Sequence, residues 1–270
     1  MNPVSYKQKL EGKSNAHLIT FDDGKDYVVK FFQDGFEKSL PNEWVSYCLG
    51  RYLGLPIPFG KIIDIPKEFS AQVPELADMS DVPYQFVSEY IPDCLNGHQA
   101  SNICRINNQQ TLAGIILFDY WLYNRDRTRK NILLREENEH AFRLWVIDHA
   151  EVFGGYAWEQ AEIENLPADI IKSATHQLMA LFIENEQDFF EQLELIQTIP
   201  ILLIEEIVTL IPDEWNVSKE EKKAMVTALV TRRTKELPDI MKRFIKTVYR
   251  PLNECMKNLN NLKNLKNSRF

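Results

Sequence analysis

The stretch FDYWLYNRDRTRKNILL, residues 118–134, decides the fold. Its beginning belongs to QQTLAGIILFDYWLY (109–123), which has the apolar density of a buried helix. Its end is β-like, and the charged turn REENEH (135–140) separates it from a second β-like run, FRLWVID (142–148). The sequence therefore predicts a helix, a charged loop and a short hairpin in this order.

The charged loop, NRDRTRKN (124–131), carries an Asp and an Asn five positions apart, Asp126 and Asn131. This is the spacing of a kinase catalytic loop, in which the Asp engages the acceptor hydroxyl and the Asn coordinates magnesium. Asp148 follows the next strands, in the place of a metal-binding Asp, and hard oxygen ligands suit magnesium. The alternative interpretation is a charged turn with Asp126 as a helix cap.

The N-terminal third is predicted to be β-rich. HLITF (17–21) and YVVKFF (27–32) are short β-rich runs joined by Asp-Asp-Gly-Lys, a hairpin signal because glycine tolerates positive φ. NEWVSYCLGRYLG (42–54) has apolar residues at helical spacing and predicts one amphipathic helix. PFGKIIDI (58–65) and YQFVSEYI (84–91) predict two further strands, with a polar, Pro-containing loop between them.

Two charged residues in this third have the placement that nucleotide binding requires. Lys30 ends a strand, where alternation aims its ammonium inward at phosphates, and Glu43 lies near the start of the next helix. Each alone would be an ordinary surface charge. Lys30 and Glu43 precede Asp126, Asn131 and Asp148 in the order that a kinase requires. This order favours a phosphoryl-transfer site over the alternative that residues 124–131 are only a charged turn. Gly12-Lys13-Ser14-Asn15, placed before the first predicted strand, is a weaker candidate for backbone contacts to phosphates.

The rest of the chain reads as a helical lobe from about Leu166 onward. Ser218 and Glu221 form a capping box that predicts a helix through Arg232. The end, NLNNLKNLKNSRF (258–270), is predicted to be frayed or disordered. Five tryptophans are expected to pack in the core or between lobes rather than to bind ligands: Trp44, Trp121, Trp145, Trp158 and Trp215.

The charge of the chain is unevenly distributed. The 270 residues carry a net charge of −8, yet residues 222–270 hold 13 Lys or Arg against 3 Asp or Glu, about +10. This basic region suggests either an acidic partner or, as the simpler interpretation, a solvated helix face; nucleic-acid binding is not expected.

Several kinds of site are disfavoured by the sequence. The four cysteines and five histidines show no metal or disulfide spacing, and neither a P-loop nor a G-x-G-x-x-G motif occurs. With 44% hydrophobic residues and no apolar run long enough for a membrane span or a signal peptide, the chain is expected to be a cytoplasmic globular protein that binds no membrane.

The pieces GKSNAHL, DYVVKF, NEWVSYCLGRYLGLPIP, FVSEYI, FDYWLYNRDRTRKNILL, VIDHAEVFGG and IPDEW together resemble the HipA-like kinases. The resemblance runs roughly from residue 9 to residue 245. It implies an α+β, bilobal protein-kinase-like fold with a small antiparallel β-rich N-lobe (1–91) and a larger α-helical C-lobe (92–250). Composition, not the resemblance, predicts that residues 251–270 form a basic flexible tail. The resemblance also implies that the cofactors are ATP and Mg²⁺.

The same resemblance implies roles for individual residues. Lys30 would bind phosphates with Glu43 as its partner, Asp126 would be the catalytic base, and Asn131 and Asp148 would be metal ligands. Glu89 and Tyr90 would lie in the hinge and offer backbone hydrogen bonds to adenine. Gly12 and Ser14 would belong to the loop over the phosphates. Ser14 could also be an autophosphorylation site by analogy with the family, but an ordinary loop serine is the simpler interpretation.

The sequence departs from familiar kinase patterns in two places. Asn124 stands where protein kinases have the histidine of the catalytic loop, and Asp148-His149-Ala150 replaces Asp-Phe-Gly, so standard activation-loop regulation is not expected. The extra N-terminal subdomain of the toxin-type members is not expected in this chain. We therefore do not infer a toxin role or antitoxin binding for it from the resemblance.

Three functions remain open at this point. The first is a kinase that phosphorylates a Ser or Thr hydroxyl on a protein. The second is a small-molecule kinase, because related bilobal folds use the same carboxylates on other acceptors. The third is a catalytically silent, nucleotide-binding interaction module, which the intact set Lys30, Asp126, Asn131 and Asp148 disfavours.

Overall fold

The computed structural model of the chain describes residues 1–76 and 82–267, the last nine of these as backbone only. Residues 77–81, in the loop predicted before the run at 84–91, and residues 268–270 of the predicted tail lie outside the described residues. An antiparallel sheet forms the N-terminal lobe and a mainly helical lobe follows. The predicted α+β fold with two lobes is confirmed.

The N-lobe is built on one five-stranded sheet in the order β1-β2-β3-β5-β4, with every neighbouring pair antiparallel. Its strands are β1 (Pro3–Lys9), β2 (Ala16–Phe21), β3 (Asp26–Lys30), β4 (Gly60–Asp64) and β5 (Tyr84–Glu89). Helix α1 (Ser39–Tyr52) lies between β3 and β4 in sequence, and the short α2 (Lys67–Ser70) follows β4.

The predicted hairpin joins β2 and β3. Gly24 has φ +77°, in the left-handed region that glycine adopts without steric cost. Its N–H donates to the Phe21 carbonyl over 2.9 Å, and the Phe21 N–H donates to the Lys25 carbonyl over 3.0 Å. The resulting register pairs Ala16 with Lys30, so the end of β3 lies beside the start of β2.

Strand β1 is not predicted by the sequence. PVSYKQK has no apolar alternation, because most of its residues are exposed on the edge of the sheet. The residues Gly12 to Asn15 therefore form the tip of the β1–β2 hairpin, and the prediction that they precede the first strand is wrong. The tip still lies next to β2, where the N–H of Leu10 donates to the Ala16 carbonyl over 2.8 Å.

The C-lobe contains a small second sheet in the order β6-β8-β9-β7. Its strands are β6 (Leu95–Asn96), β7 (Arg105–Ile106), β8 (Ile132–Asn138) and β9 (Ala141–Val146), of which β8 and β9 form the predicted hairpin. The helices are α3 (Leu112–Trp121), α4 (Gln160–Glu164), α5 (Ala174–Ala180), α6 (Gln187–Thr198), α7 (Ile201–Thr209), α8 (Lys219–Thr234), α9 (Leu237–Phe244) and α10 (Arg250–Asn267). None of the described helices is both long and apolar enough to span a bilayer.

Helix α3 is the centre of the C-lobe. All its residues are buried, as the apolar density of the sequence predicts for a helix surrounded by neighbours. The helix α8 begins at the predicted capping box, in which the Ser218 hydroxyl accepts from the Glu221 N–H and the Glu221 carboxylate accepts from the Ser218 N–H. Both elements confirm the sequence prediction.

The end of the chain has helical backbone as far as it is described. The sequence predicts a frayed or disordered end at 258–270, and α10 includes residues 258–267 of it. The reason is that asparagine and lysine have only a modest helix penalty, and the leucines that recur between them keep a helical spacing. The flexibility of this region stays a prediction.

The two lobes are joined by side chains that donate to main-chain carbonyls. Trp44 in α1 donates from Nε1 to the Ile207 carbonyl in α7 over 3.0 Å. Trp215 in the C-lobe donates from Nε1 to the Tyr84 carbonyl in β5 over 2.8 Å. The expectation that the tryptophans pack in the core or between the lobes agrees with these contacts.

One buried histidine gives the N-lobe a pH dependence. His17 in β2 is fully buried, its Nδ1 lies 3.3 Å from the Tyr6 hydroxyl, and its ring meets Phe31 edge-on. Burial, together with the charge of Lys9, lowers its pKa to about 4. The unfolded chain, with an ordinary histidine pKa, therefore takes up the proton first as the pH falls.

Lowering the pH from 7 to 4.5 should cost the wild type more stability than the His17→Gln variant. The stabilising term is present above the unfolded pKa and is lost as the pH falls toward the folded value, about 1–3 kcal/mol in all. Urea unfolding at the two pH values measures it. The exposed His98 supplies the control, since His98→Gln should track the wild type. A His17→Gln stability difference that does not change with pH would contradict the assignment.

Candidate active site

A cleft between the sheet of the N-lobe and the β8–β9 hairpin contains the charged residues that the sequence singles out. Its volume is about 950 Å³, counted to include space open to solvent. One part is apolar, lined by Ala16, Val28, Ile57, Phe86 and Leu133. The polar part is lined by Lys30, Glu43 and Asp148. An apolar slot that ends in charged groups suits a ligand with a flat ring and an anionic tail.

Lys30 is the cation at the inner end of the cleft. Its ammonium donates to Glu43 Oε1 in α1 and to Asp148 Oδ1 over 2.7 Å. Burial alone would lower the pKa of Lys30, but the two carboxylates outweigh it and raise the pKa above its ordinary value. The ion pair predicted from the sequence between Lys30 and Glu43 is therefore present, and Asp148 shares it.

The two carboxylates around Lys30 differ in environment. Burial would raise the pKa of Asp148, but the Lys30 ammonium outweighs it and lowers the pKa, so Asp148 stays charged. Glu43 is almost wholly buried and burial raises its pKa, against the opposing effect of Lys30. The Asp148 side chain is 30% exposed, so it is the carboxylate that a ligand in the cleft can reach.

Asp126 and Asn131 form one hydrogen-bonded loop. The amide nitrogen of the Asn131 side chain donates to the Asp126 carbonyl over 2.6 Å and to Asp126 Oδ2 over 2.9 Å. The Asn124 side chain accepts from the Asp126 N–H over 3.1 Å. Among the described residues, the lining of the cleft does not include Asp126 or Asn131. The Ile147 N–H donates to the Asn131 carbonyl over 3.1 Å, which places this loop beside the residue that precedes Asp148.

The donor set fits a magnesium-like cation. Because the Asn131 side-chain nitrogen binds Asp126, its oxygen is the atom left to face a ligand, and Asp148 offers a partly exposed carboxylate. No group of three His, Cys, Asp or Glu able to hold a metal occurs in the part of the chain that the structure describes. A protein usually supplies only one or two oxygen ligands to Mg²⁺ when the phosphates of a bound substrate supply the others.

The predicted hinge and cover loop lie at the edge of the cleft. Ser14, Glu89 and Tyr90 line it, and Gly12 is not among its described lining residues. The N–H of Glu89 donates to the Phe59 carbonyl over 2.7 Å, and the N–H of Tyr90 donates to the Asp26 carbonyl over 2.9 Å. An adenine contact at these two residues would therefore use their carbonyl oxygens, a restriction that the sequence does not show.

A buried polar cluster under the loop of Asp126 and Asn131 was not found from the sequence. Asp119 in α3 accepts two hydrogen bonds from Arg127, over 2.9 and 3.1 Å, and lies 2.9 Å from Nε2 of His176. Burial would raise the pKa of Asp119, but Arg127 and His176 outweigh it and lower the pKa below its usual range. The one sequence feature that could have indicated this cluster is Asp119, an acidic residue within the otherwise apolar sequence of α3.

His149, directly after Asp148, belongs to the same cluster. Its Nε2 lies 2.8 Å from Nη2 of Arg127, and its N–H donates to Glu43 Oε1 over 2.9 Å. Burial first, and then the charge of Arg127, lower its pKa to about 3, so the ring is neutral near pH 7. His149 occupies the position of the Phe in Asp-Phe-Gly but connects to polar groups.

The segment after His149 is held by one asparagine of α1. The side-chain nitrogen of Asn42 donates to three carbonyls, those of Ala150, Val152 and Gly155, over 2.7, 3.2 and 2.9 Å. Its oxygen accepts from Trp158 Nε1 over 2.9 Å. The sequence does not indicate this anchoring, because Asn42 has the position of an ordinary polar residue at the start of a predicted helix.

Comparison with known proteins gives one family and several similar folds. The chain is similar to the crystal structure of the Helicobacter pylori proinflammatory kinase CtkA, at 15% identity and a TM-score of 0.59, with 89% of this chain and 95% of that one covered. At this identity the similarity shows the fold, a kinase-like one. No curated protein matches the chain.

Two further structures are similar at a lower level. One is the Golgi casein kinase with Mn/ADP bound, at 14% identity and a TM-score of 0.48, covering 92% of this chain and 74% of that one. The other is HipA of Shewanella oneidensis with HipB and operator DNA, at 12% identity and a TM-score of 0.44, covering 87% and 68%. The model of the family described as HipA-like kinase matches residues 5–247, and the chain belongs to that family.

Proposed function

We propose that the chain is a serine/threonine protein kinase that transfers the γ-phosphate of ATP to a hydroxyl in a magnesium-dependent reaction. The observation that carries the proposal is the convergence of Lys30, Glu43 and Asp148 at the polar end of an apolar cleft, with the Asp126–Asn131 loop joined to it. The family supports phosphoryl transfer, and all four cysteines are free, which suits the reducing cytoplasm that we propose as its location.

Each residue of the site has one role in the proposed phosphoryl transfer. The apolar slot holds the adenine, and the Lys30 ammonium, kept in place by Glu43, neutralises phosphate oxygens. Asn131 and Asp148 would hold the Mg²⁺, which would screen the negative charge of the phosphates. Asp126 accepts the proton of the acceptor hydroxyl and orients its oxygen toward the γ-phosphate. The bond from this oxygen to the γ-phosphorus forms as the bond to the β–γ bridging oxygen breaks, and ADP is the leaving group. The proton moves from the hydroxyl to Asp126 Oδ1, since Oδ2 is bound by Asn131.

Metal removal tests this function. Wild-type protein with Mg²⁺ and γ-labelled ATP should transfer label to protein bands of a cell extract, and an excess of EDTA should reduce the transfer to background. Calorimetry in the same buffers should show ATP binding that strengthens when Mg²⁺ is added. Restoring Mg²⁺ after EDTA controls for protein damage.

The outcomes separate the competing functions. Label on small molecules of the extract, with none on protein, would replace the protein acceptor with a small-molecule acceptor. ATP binding without any transfer would favour a nucleotide-binding interaction module. The absence of magnesium-dependent ATP binding would exclude a kinase of either kind.

A further inference from the structure

The guanidinium of Arg127 lies at the point where the catalytic loop and the end of β9 meet. Arg127 is 2% exposed, and its side chain directs every nitrogen at a partner in the protein. Nε and Nη2 donate to the Asp119 carboxylate. Nη1 donates to the carbonyls of Asn131 and Ile147 over 2.9 and 2.7 Å. Nη2 lies 2.8 Å from His149 Nε2.

These partners surround both residues assigned to the metal. The Asn131 carbonyl belongs to one of them, and Ile147 and His149 precede and follow the other, Asp148. A single planar group therefore holds the backbone carbonyls of Asn131 and of the residue before Asp148, and it contacts the side chain of the residue after Asp148. A lysine at this position would offer one ammonium in place of a rigid fork and could not reach all of these acceptors together.

The contact with His149 also determines where its ring proton lies. A guanidinium can only donate, so Nε2 of His149 accepts and the proton is on Nδ1. Nδ1 lies 4.0 Å from Glu43 Oε2, and the His149 N–H donates to the other oxygen of Glu43. The chain of contacts thus extends from Arg127 to the carboxylate that holds Lys30.

We propose that Arg127 is a positioning residue that holds Asn131 and Asp148 in register for the cation while Asp119 holds Arg127. This proposal rests on the proposed function and deepens it, since it assigns the orientation of the metal-holding residues to a buried group that touches neither nucleotide nor acceptor. Asp119, which also contacts Asn124 over 2.8 Å and His176, anchors the arrangement in α3.

The first test is a magnesium titration of phosphoryl transfer with Arg127→Lys. The kcat should fall about 10–100-fold and the Mg²⁺ concentration for half-maximal rate should rise, with the KM for ATP little changed. The matched control is Arg232→Lys, because Arg232 is also buried and donates to three main-chain carbonyls, those of Tyr120, Leu166 and Pro167. The control should keep the wild-type magnesium requirement.

Equal magnesium profiles for the Arg127 and Arg232 variants would show a merely structural role and overturn the proposal. If Arg127→Lys does not fold, the double variant Arg127→Gln/Asp119→Asn is used for the magnesium titration instead. It removes the two buried opposite charges together, so neither charge is left unpaired. In that variant the same rise in magnesium requirement is expected.

A second readout does not depend on activity. Long-range ¹H–¹⁵N spectra of the imidazoles should show the His149 proton on Nδ1 in the wild type, with the signal assigned by its loss in His149→Gln. A wild-type ring protonated on Nε2 would overturn the proposal. If the wild type transfers no phosphate, the proposed function fails, while the Nδ1 tautomer and its loss in Arg127→Lys would still support the positioning by Arg127.

Discussion

Replacing Asp126 with Asn should lower phosphoryl transfer about 10³-fold and leave the binding of Mg²⁺ and ATP unchanged within error. The variant removes the carboxylate to which the proposed function assigns the hydroxyl proton. It keeps the loop intact, because the new amide oxygen can still accept from the Asn131 side chain, which now binds Asp126 Oδ2 over 2.9 Å. Initial rates at saturating ATP, together with calorimetry of ATP binding, separate the two effects.

The control for this experiment is Asp64→Asn, which removes an exposed carboxylate at the end of β4 without touching the cleft. Its rate should equal that of the wild type. A tenfold or smaller loss in Asp126→Asn would mean that Asp126 does not accept the proton. An equal loss of ATP affinity would instead place Asp126 among the groups that bind the nucleotide.

Replacing Trp121 with Ala should cost about 3–5 kcal/mol of unfolding free energy. Trp121 is fully buried at the end of α3, packs edge-on against Phe118, and donates from Nε1 to the Leu229 carbonyl in α8 over 2.9 Å. The variant opens a cavity in the centre of the C-lobe and removes the side-chain hydrogen bond to the Leu229 carbonyl. Urea unfolding measured by circular dichroism gives the change in midpoint and slope.

Two further variants divide the effect of Trp121 into its parts. Trp121→Phe keeps most of the packing and loses the hydrogen bond, so it should cost about 1–3 kcal/mol. Trp145→Ala is the matched control, because Trp145 is half-buried on β9 under Arg135 and should cost clearly less than Trp121→Ala. Equal losses for the two alanine variants would show that α3 is not the centre of stability.

The parts of the molecule that follow from local patterns could be predicted from the sequence. The β2–β3 hairpin depends on Gly24, helix α8 depends on its capping box, and the loop of Asp126 and Asn131 depends on a spacing of five residues. In each case the interacting groups are close in sequence, so residue type and spacing carry the information.

The parts that depend on tertiary contacts could not be predicted. Lys30 and Asp148 are 118 positions apart, and no local pattern shows that they share a hydrogen bond. The role of Arg127 is hidden for the same reason, since a surface arginine and a buried one look alike in a charged loop. Strand β1 was missed because an exposed edge strand needs no apolar alternation.

The ties between the lobes have a kinetic consequence. Rigid rotation of one lobe away from the other would break the bond from Trp44 to α7, the bond from Trp215 to β5 and the salt bridge from Lys38 to Glu221 at about the same time. Such an opening is a rare cooperative event, whereas a hairpin tip fluctuates rapidly. Under the proposed function, the β1–β2 tip would then set the rate of ADP departure, and the residence time of ADP would respond to changes in the tip more than to changes at Glu89 and Tyr90.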